Sequence, residues 1–379
     1  KNDILDFKTS LKINNNPLKI KSLNYEDVNA LIKLEGSKNK KDEINIKDFI
    51  INEKKNRIRA QNIKFNKNLV IVKLGTVSLN YTDQENQKNQ IKFYPMKNKY
   101  VLKGSSFNAN SLIDDLLFDD KNYNIFNIDT KIEISIDKIF LDKEYDLFNF
   151  NGIIFFKNKE IVKANLNGNF PKNKKLNFTI NTNNDNKITT LYIDKAEPFV
   201  KRYKFIKGFD NGILDFYSSK KLNESTSTLK IYDFNLKELP ALTKILTLAS
   251  LQGIADILSG EGIGFDEFEM KFKSKKDGMI IDEIYAIGPA ISILMDGYVE
   301  KDKLISLRGT LVPATTINKF IGSLPVLGKI LVGSKTGEGV FGVSFKIKGP
   351  PKKLETSVNP IKTLTPRFIT RTLEKIKKN

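Results

Sequence analysis

The chain has 379 residues, 40% of them hydrophobic, and it contains neither histidine nor cysteine. These two absences exclude a Ser-His-Asp or Cys-His nucleophile system, a zinc site with the usual ligands, a redox thiol pair and a haem histidine. A formal net charge of +19 suggests nucleic acid or an anionic membrane as a partner. The lysines, however, are dispersed among many asparagines and isoleucines, and this pattern is more typical of lysines on ordinary solvent-exposed faces.

Membrane-spanning helices are not expected within this sequence, because no run of about 18 apolar residues occurs. The sequence begins Lys1-Asn2-Asp3, without an initiator methionine or a signal-like segment, and leads directly into an alternating pattern. We therefore expect a fragment or a processed form, with any membrane anchor placed before residue 1.

The first half of the chain, from residue 3 to about residue 195, alternates apolar and polar residues between clusters of Asn, Asp, Gly and Lys. This period of two predicts strands with one apolar and one polar face, joined by turns at residues 14–17, 167–169 and 181–186. The sheet is expected to be antiparallel. A helix is predicted at residues 111–118, where leucine and isoleucine recur at helical spacing.

The second half, from residue 196 to residue 379, mixes helices with strands. Residues 196–205 are predicted to form a short helix, and residues 313–333 a broken apolar helical segment interrupted by Gly and Pro. The period of two predicts strands at residues 208–218, 227–236, 265–273, 279–287, 290–299, 304–311 and 340–348. We therefore expect two regions, residues 1–195 and 196–379.

Two of these strands carry candidate residues for an apolar groove. In residues 265–273, charged side chains alternate with the apolar side chains of Phe268, Met270 and Phe272. In residues 340–348, one face carries Phe341, Val343, Phe345 and Ile347. Because these side chains would form a large exposed patch in water, we expect them to face the core or a bound lipid.

Residues 241–258 contain only two charged residues and are predicted to form a helix that is apolar around nearly its whole circumference. Pro240 suits its first turn, and Gly260 suits its end. Such a helix is buried in protein or immersed in lipid, so Leu242, Ile245 and Leu246 are candidates for membrane contact, with burial against the sheet as the alternative.

A final helix is predicted to begin after Thr365, with Pro366 at its first position. It carries an apolar stripe opposite a basic face, which is the composition of a helix that lies on an anionic membrane. The candidate contact residues are Arg367, Phe368, Arg371 and Lys375. The alternative is a helix docked on the sheet with its basic side in water.

Familiar catalytic and cofactor motifs are not matched. Residues 328–336 depart from the phosphate-binding loop because Ser334 separates Gly333 from Lys335. Acidic clusters at residues 114–115, 119–120 and 266–269 could serve a glycosidase or a calcium site, but they lack the EF-hand pattern, and alternation at residues 266–269 predicts the solvated face of a strand. We predict no catalytic residue, metal or cofactor, and no enzymatic activity.

One family resemblance is carried by residues 297–300, 307–318, 323–333, 337–350 and 358–368, which read GYVE, LRGTLVPATTIN, SLPVLGKILVG, GEGVFGVSFKIKGP and VNPIKTLTPRF. Residues 258–267, LSGEGIGFDE, fit the same pattern. From about residue 205 to residue 378 the chain resembles the C-terminal module of the AsmA-like family, in particular its YhdP-type alphaproteobacterial branch.

The resemblance implies a periplasmic protein that is anchored in the inner membrane by an N-terminal helix. It implies an elongated, folded-over antiparallel β-sheet whose inside forms an apolar groove for phospholipid, with a few short helices near the C-terminus. It supplies no catalytic residues. Full members of the family are much longer than this chain, so we expect the sequence to cover only the end of such a protein.

Two functions of different classes follow as hypotheses. The first is a bridge-like lipid-transfer protein that carries phospholipid between the inner and outer membranes. The second is a periplasmic assembly factor for outer-membrane β-proteins, which would use strand edges to guide its clients. Other envelope proteins are possible partners under both hypotheses, whereas nucleic acid is not expected.

Overall fold

The computed structural model describes residues 4–53, 56–118, 129–158, 160–202, 207–237, 239–249, 251–313, 342–351 and 353–361. Of the described residues, 68% lie in strands and 10% in helices. The strands are mostly antiparallel and the helices are few and short, which confirms the mainly β fold class. The chain divides into two compact units, residues 1–190 and 191–379. The predicted boundary after residue 195 lies close to this division.

The first unit consists of strands, one α-helix and two short 3-10 turns. The 3-10 turns are Lys21–Leu23 and Pro171–Asn173, and helix α1 is Asn110–Phe118, which confirms the helix predicted at residues 111–118. The strands are β1 Leu5–Lys12, β2 Leu18–Ile20, β3 Tyr25–Asp27, β4 Leu31–Lys38, β5 Ile44–Glu53, β6 Asn56–Phe65, β7 Ile71–Lys73, β8 Thr76–Thr82, β9 Lys88–Met96, β10 Lys99–Asn108, β11 Thr130–Phe140, β12 Asp146–Lys157, β13 Glu160–Asn169, β14 Lys175–Asn183 and β15 Asn186–Ile193.

Asparagine and aspartate make the tight turns between these strands possible. Among the described non-glycine residues, 17 have a positive φ, and 13 of these are Asn or Asp, the side chains that tolerate the left-handed region best. Asn184 and Asp185, with φ of 46° and 62°, confirm the predicted turn between β14 and β15. The turn predicted at residues 167–169 is wrong, because these residues continue β13 and pair with β14.

The ladder of the first unit runs β4, β5, β6, β8, β9, β10, β11, β12, β13, β14, with β1 beside β4 and β7 beside β6. All of these pairs are antiparallel except β10 and β11, which are parallel. The expectation of a purely antiparallel sheet is therefore wrong at this one pair. Its physical basis is the long connection that includes α1, since parallel neighbours need a crossover of a dozen or more residues.

A buried polar network holds the β8–β9 turn against the start of α1. The side-chain amide of Asn108 donates to Asp83 Oδ2 and to Glu85 Oε2, both at 2.8 Å. The Asn108 backbone N–H donates to Asn89 Oδ1 at 2.8 Å, and Asn108 Oδ1 accepts from the backbone N–H of Asn110 at 3.0 Å. The side-chain amide group, the side-chain oxygen and the backbone N–H of Asn108 are therefore all hydrogen-bonded, as is usual for buried polar groups.

Replacing Asn108 with alanine is expected to lower the free energy of unfolding by about 2 kcal/mol, because the buried carboxylate of Asp83 and the half-buried carboxylate of Glu85 lose a donor each. Chemical denaturation followed by circular dichroism measures this change. Asn167→Ala is the matched control, since Asn167 is half-buried and its amide donates a solvent-exposed hydrogen bond, to Asn165 Oδ1 at 3.1 Å. The control should change stability by less than about 0.5 kcal/mol, and an equal effect of both substitutions would contradict the role given to the network.

The second unit contains the helices α2 Glu197–Val200, α3 Pro240–Leu248 and α4 Gln252–Ser259. Its strands are β16 Lys207–Lys221, β17 Glu224–Lys237, β18 Ile263–Lys275, β19 Gly278–Ile287, β20 Ile291–Glu300, β21 Leu304–Pro313, β22 Gly342–Gly349 and β23 Glu355–Ile361. These eight strands pair in chain order as an antiparallel meander. The seven strands predicted in this half are confirmed, and β23 was not predicted.

The helix predicted over residues 241–258 is divided into α3 and α4, so the prediction of one continuous helix is wrong. The backbone N–H of Leu251 donates to Leu246 O at 2.8 Å, a spacing of five residues that ends the α-helical series. The helix predicted at residues 196–205 is shorter in the structure, where α2 has four residues. The segment predicted at residues 313–333 and the final helix lie outside the described residues, apart from Pro313, which ends β21.

Helices α3 and α4 pack on each other and on two strands of the second unit. Helix α3 contacts β23, and α4 contacts β17. The inward face of the pair carries Leu242, Ile245, Leu246, Ala255 and Leu258, all of which are buried. The pair therefore spans from the second strand of the meander to the last.

Candidate functional site

Apolar side chains of the second unit lie in rows that cross the meander from strand to strand. Residues that face each other across paired strands point to the same side of a sheet, so the strand register determines which side chains share a row. The first row is Leu214, Ile231, Phe268, Ala286, Ile293, Leu311 and Val343. The second row is Phe216, Leu229, Met270, Ile284, Met295, Gly309, Phe345 and Val358.

A third row follows on the same face and is less uniformly apolar. It consists of Ser218, Ser227, Phe272, Ile281, Gly297, Leu307, Ile347 and Thr356. The Ser227 hydroxyl donates to Ser218 Oγ at 2.8 Å, which pairs the two polar groups at the start of the row. The three rows contain no charged side chain, and the second row crosses all eight strands, a distance of about 34 Å at 4.8 Å per strand.

The predicted groove residues fall into these rows. Phe268 shares the first row with Val343, Met270 shares the second with Phe345, and Phe272 shares the third with Ile347. The register therefore brings the two predicted sets onto one face, although about 70 residues separate them in the sequence. Phe341 lies outside the described residues.

Accessibility differs along the rows. Val343, Phe345 and Ile347 are exposed by only 0%, 3% and 7%, so they belong to the core. Half-buried apolar side chains are most numerous at the other end of the rows, on β16, β17 and β18, where they are Phe216, Leu229, Phe268, Met270 and Phe272. We call these five residues the apolar patch. Met295, Leu307 and Val358 are half-buried farther along the rows, so the patch is the largest cluster of accessible apolar side chains on this face.

The face opposite the rows carries charged side chains on β17 and β18, and Tyr285, Leu294 and Val312 on the later strands of that face are buried. The Glu269 side chain is 6% exposed, and its carboxylate forms ion pairs with Lys271 at 2.9 Å and with Lys230 at 3.5 Å. Burial alone would lower the pKa of Lys230, but the negative charge of Glu269, with smaller contributions from Tyr232 and Glu267, raises that pKa above its usual value. The lysine therefore stays protonated and compensates the buried carboxylate.

Glycine opens the second row to an aromatic ring, a feature that the sequence patterns did not reveal. An added Cβ at Gly309 would lie 2.6 Å from Phe345 Cζ, 2.6 Å from the backbone oxygen of Leu294 and 2.7 Å from Met295 Cβ. The ring of Phe345 therefore lies over the backbone of β21 at Gly309, an arrangement that only the missing side chain permits. The available signal in the sequence was a glycine on one predicted strand, at residues 309–311, and a phenylalanine on the next, at residues 343–345.

A similar apolar row crosses the first unit. It consists of Leu34, Phe49, Ala60, Val77, Phe93, Leu102, Ile134, Gly152, Leu166 and Phe178, and it continues through the parallel pair of strands β10 and β11. Ten strands contribute to it, which corresponds to about 43 Å at 4.8 Å per strand. Each unit therefore has a long face with uninterrupted apolar register.

The candidates for membrane contact are placed in two different ways. Leu242, Ile245 and Leu246 on α3 lie in the interior, which is the packed alternative that the sequence left open. Arg367, Phe368, Arg371 and Lys375 lie outside the described residues. Membrane contact by either set stays a prediction.

Metal clusters and membrane-spanning helices are absent from the described part of the chain. No group of three or more acidic side chains there is arranged to hold a metal ion. No helix there has the length and hydropathy required to cross a bilayer.

No family model matches the sequence, and comparisons with curated proteins and with solved structures give no match.

Proposed function

We propose that the protein is a non-enzymatic lipid-transfer protein that carries phospholipid between the inner and outer membranes along its apolar sheet face. The observation that supports this most is the apolar patch, which is half-buried and in register with rows that contain no charge. A face of this kind offers acyl chains a continuous path across strands. Soluble proteins usually bury such surface or use it to bind a partner.

The energetics favour acyl chains as the ligand. Each methylene transferred from water to an apolar surface contributes about 0.8 kcal/mol, so ten buried methylenes contribute about 8 kcal/mol. The rows offer no ionic partner for a head group, which therefore remains outside the apolar face. Binding is expected to select for acyl chains and to tolerate different head groups.

The cellular setting of this proposal comes from the resemblance to the AsmA-like family. That resemblance suggests a periplasmic protein, held at the inner membrane by an N-terminal segment that precedes this sequence. Phospholipid and the two membranes are then the partners. No step of this proposal requires a catalytic group or a cofactor.

The purified protein is expected to retain phospholipid, which native mass spectrometry detects directly. Replacing Met270 and Phe272 together with serine removes two side chains of the apolar patch and should lower the retained lipid at least about tenfold, because several buried methylene contacts are lost. The matched control is Lys273→Ser with Lys275→Ser, which alters the opposite face of the same strand at lysines whose ion pairs are exposed. Wild-type protein without any lipid, or equal retention by both double variants, would contradict the proposal.

A second candidate function, assembly of outer-membrane β-proteins, is favoured by the exposed apolar side chains of β1. Leu5 and Leu11 on this strand are 66% and 56% exposed. Exposed apolar strands tend to recruit other strands. Under this candidate function, an unfolded porin-like polypeptide binds to the purified protein, and Leu5→Lys with Leu11→Lys abolishes that binding without changing the retained lipid.

A further inference from the structure

Four basic residues of the first unit line up across the polar face of its sheet. The strand register places Lys33 on β4, Arg59 on β6, Lys92 on β9 and Lys103 on β10 in one row. Ile50 and Ser78 occupy the positions between them, and Ser135 on β11 follows Lys103. We call the four basic residues the cationic row. It extends over about 24 Å, at 4.8 Å per strand.

The charge of this row is only partly neutralised. Arg59 forms a bidentate pair with Asp48, at 2.6 and 2.9 Å. Lys92 and Lys103 are exposed, lie directly opposite each other across β9 and β10, and form no ion pair within the described residues. Like charges in directly opposed positions destabilise a sheet, and the contact of Lys92 Nζ with the ring of Tyr94, at 5.5 Å from its centroid, compensates only one of the two lysines.

The surroundings of the row strengthen its positive field. Residues 56–110 contain ten Lys or Arg residues and two acidic residues, Asp83 and Glu85. Both carboxylates already accept hydrogen bonds from the amide of Asn108 in the polar network. A second pair of lysines, Lys64 and Lys73, faces each other across β6 and β7. Exposed cations therefore dominate this part of the polar face.

We propose that the cationic row docks the first unit on the anionic head groups of a membrane surface. A sheet face with cations and serine hydroxyls suits a layer of phosphate groups, which attracts each nearby Lys or Arg. Nucleic acid fits less well, because the aromatic ring beside the row, that of Tyr94, already has Lys92 Nζ above it at 5.5 Å from its centroid, and a sheet face does not enter a groove. The apolar row of the first unit lies on the opposite face and stays turned away from the head groups.

This proposal does not depend on lipid transfer, since it concerns the other face of the sheet and a different readout. We expect the protein to bind vesicles of phosphatidylcholine with 30% phosphatidylglycerol and not vesicles of phosphatidylcholine alone, with affinity that falls as salt rises. Lys92→Glu with Lys103→Glu should weaken binding to the anionic vesicles at least about tenfold. The residues after 361 are unchanged in every variant and contribute equally.

The matched control is Lys163→Glu with Lys174→Glu, which changes the net charge by the same amount at exposed lysines outside the row. It should alter vesicle binding less than about twofold. Equal loss in both double variants would show that net charge alone acts, and this would overturn the proposal. Absence of anionic vesicle binding by the wild type, or a loss of duplex DNA binding in place of vesicle binding, would overturn it as well.

A single substitution separates docking from folding. Lys103→Glu places a carboxylate directly opposite Lys92, so the melting temperature should stay the same or rise while vesicle binding falls. A residue with a merely structural role would lose stability and binding together. A Lys103→Glu variant that melts lower than the wild type, or binds vesicles equally well, would contradict the proposal.

Discussion

Replacing Val343 and Phe345 together with aspartate is expected to abolish folding of the second unit. Both side chains are buried within the apolar rows, which contain no cation to pair with a new carboxylate. Burying an unpaired charge costs several kcal/mol, and the apolar contacts of Phe345 are lost in addition. Together these two losses equal a large part of the roughly 5–15 kcal/mol by which a typical protein is stable.

The matched control for this variant adds two carboxylates to the polar face of the same two strands. Ser344 lies on β22 and Ser357 on β23, and Ser357 faces Lys346 across the pair. Ser344→Asp with Ser357→Asp should leave the circular dichroism spectrum and the melting transition close to those of the wild type. A folded Val343 and Phe345 double variant that retains lipid would show that this face is neither core nor binding surface.

Replacing Gly309 with alanine is expected to lower the free energy of unfolding by about 3 kcal/mol, which is large for the addition of one methyl group. The new Cβ would meet a backbone oxygen and two side chains at 2.6–2.7 Å. The ring of Phe345 can move, but the backbone oxygen of Leu294 cannot move without disturbing the pairing of β20 with β21. Adding Phe345→Leu to Gly309→Ala should therefore restore only part of the lost stability.

The same glycine-to-alanine change is expected to stabilise the protein at another position of the second unit. A Cβ added at Gly253 in α4 has no atom within 4 Å, and alanine is the better helix former. Gly253→Ala should therefore raise the free energy of unfolding by about 0.5–1 kcal/mol. Chemical denaturation of both variants measures the difference. A neutral Gly309→Ala would contradict the close packing of β21 at Gly309, and a destabilised Gly253→Ala would contradict the open space beside Gly253.

The sequence allowed prediction of the strands but not of their partners. Alternation alone identified Phe268, Met270 and Phe272 as one face of a strand, because a period of two fixes side-chain direction locally. That these residues share rows with Val343, Phe345 and Ile347 depends on the register of the intervening strands, including the bulges between them. A one-residue shift in any ladder would have moved the sets to opposite faces.

Other differences have local physical causes. The parallel pairing of β10 with β11 depends on where the long connection returns, which alternation does not encode. The break between α3 and α4 has neither Pro nor Gly at its position, so composition gave no signal for it. The cationic row escaped prediction because its lysines are dispersed along the sequence, and only the register of the strands aligns them.

The parallel pair also has a kinetic consequence. Antiparallel neighbours joined by short turns can form one after another, because each hairpin closes a small loop. Strands β10 and β11 cannot pair through a short hairpin, because they are parallel and the connection that includes α1 must first return to the same end of the sheet. We expect refolding to show a slow phase limited by this closure, after the blocks β4–β10 and β11–β14 have formed separately.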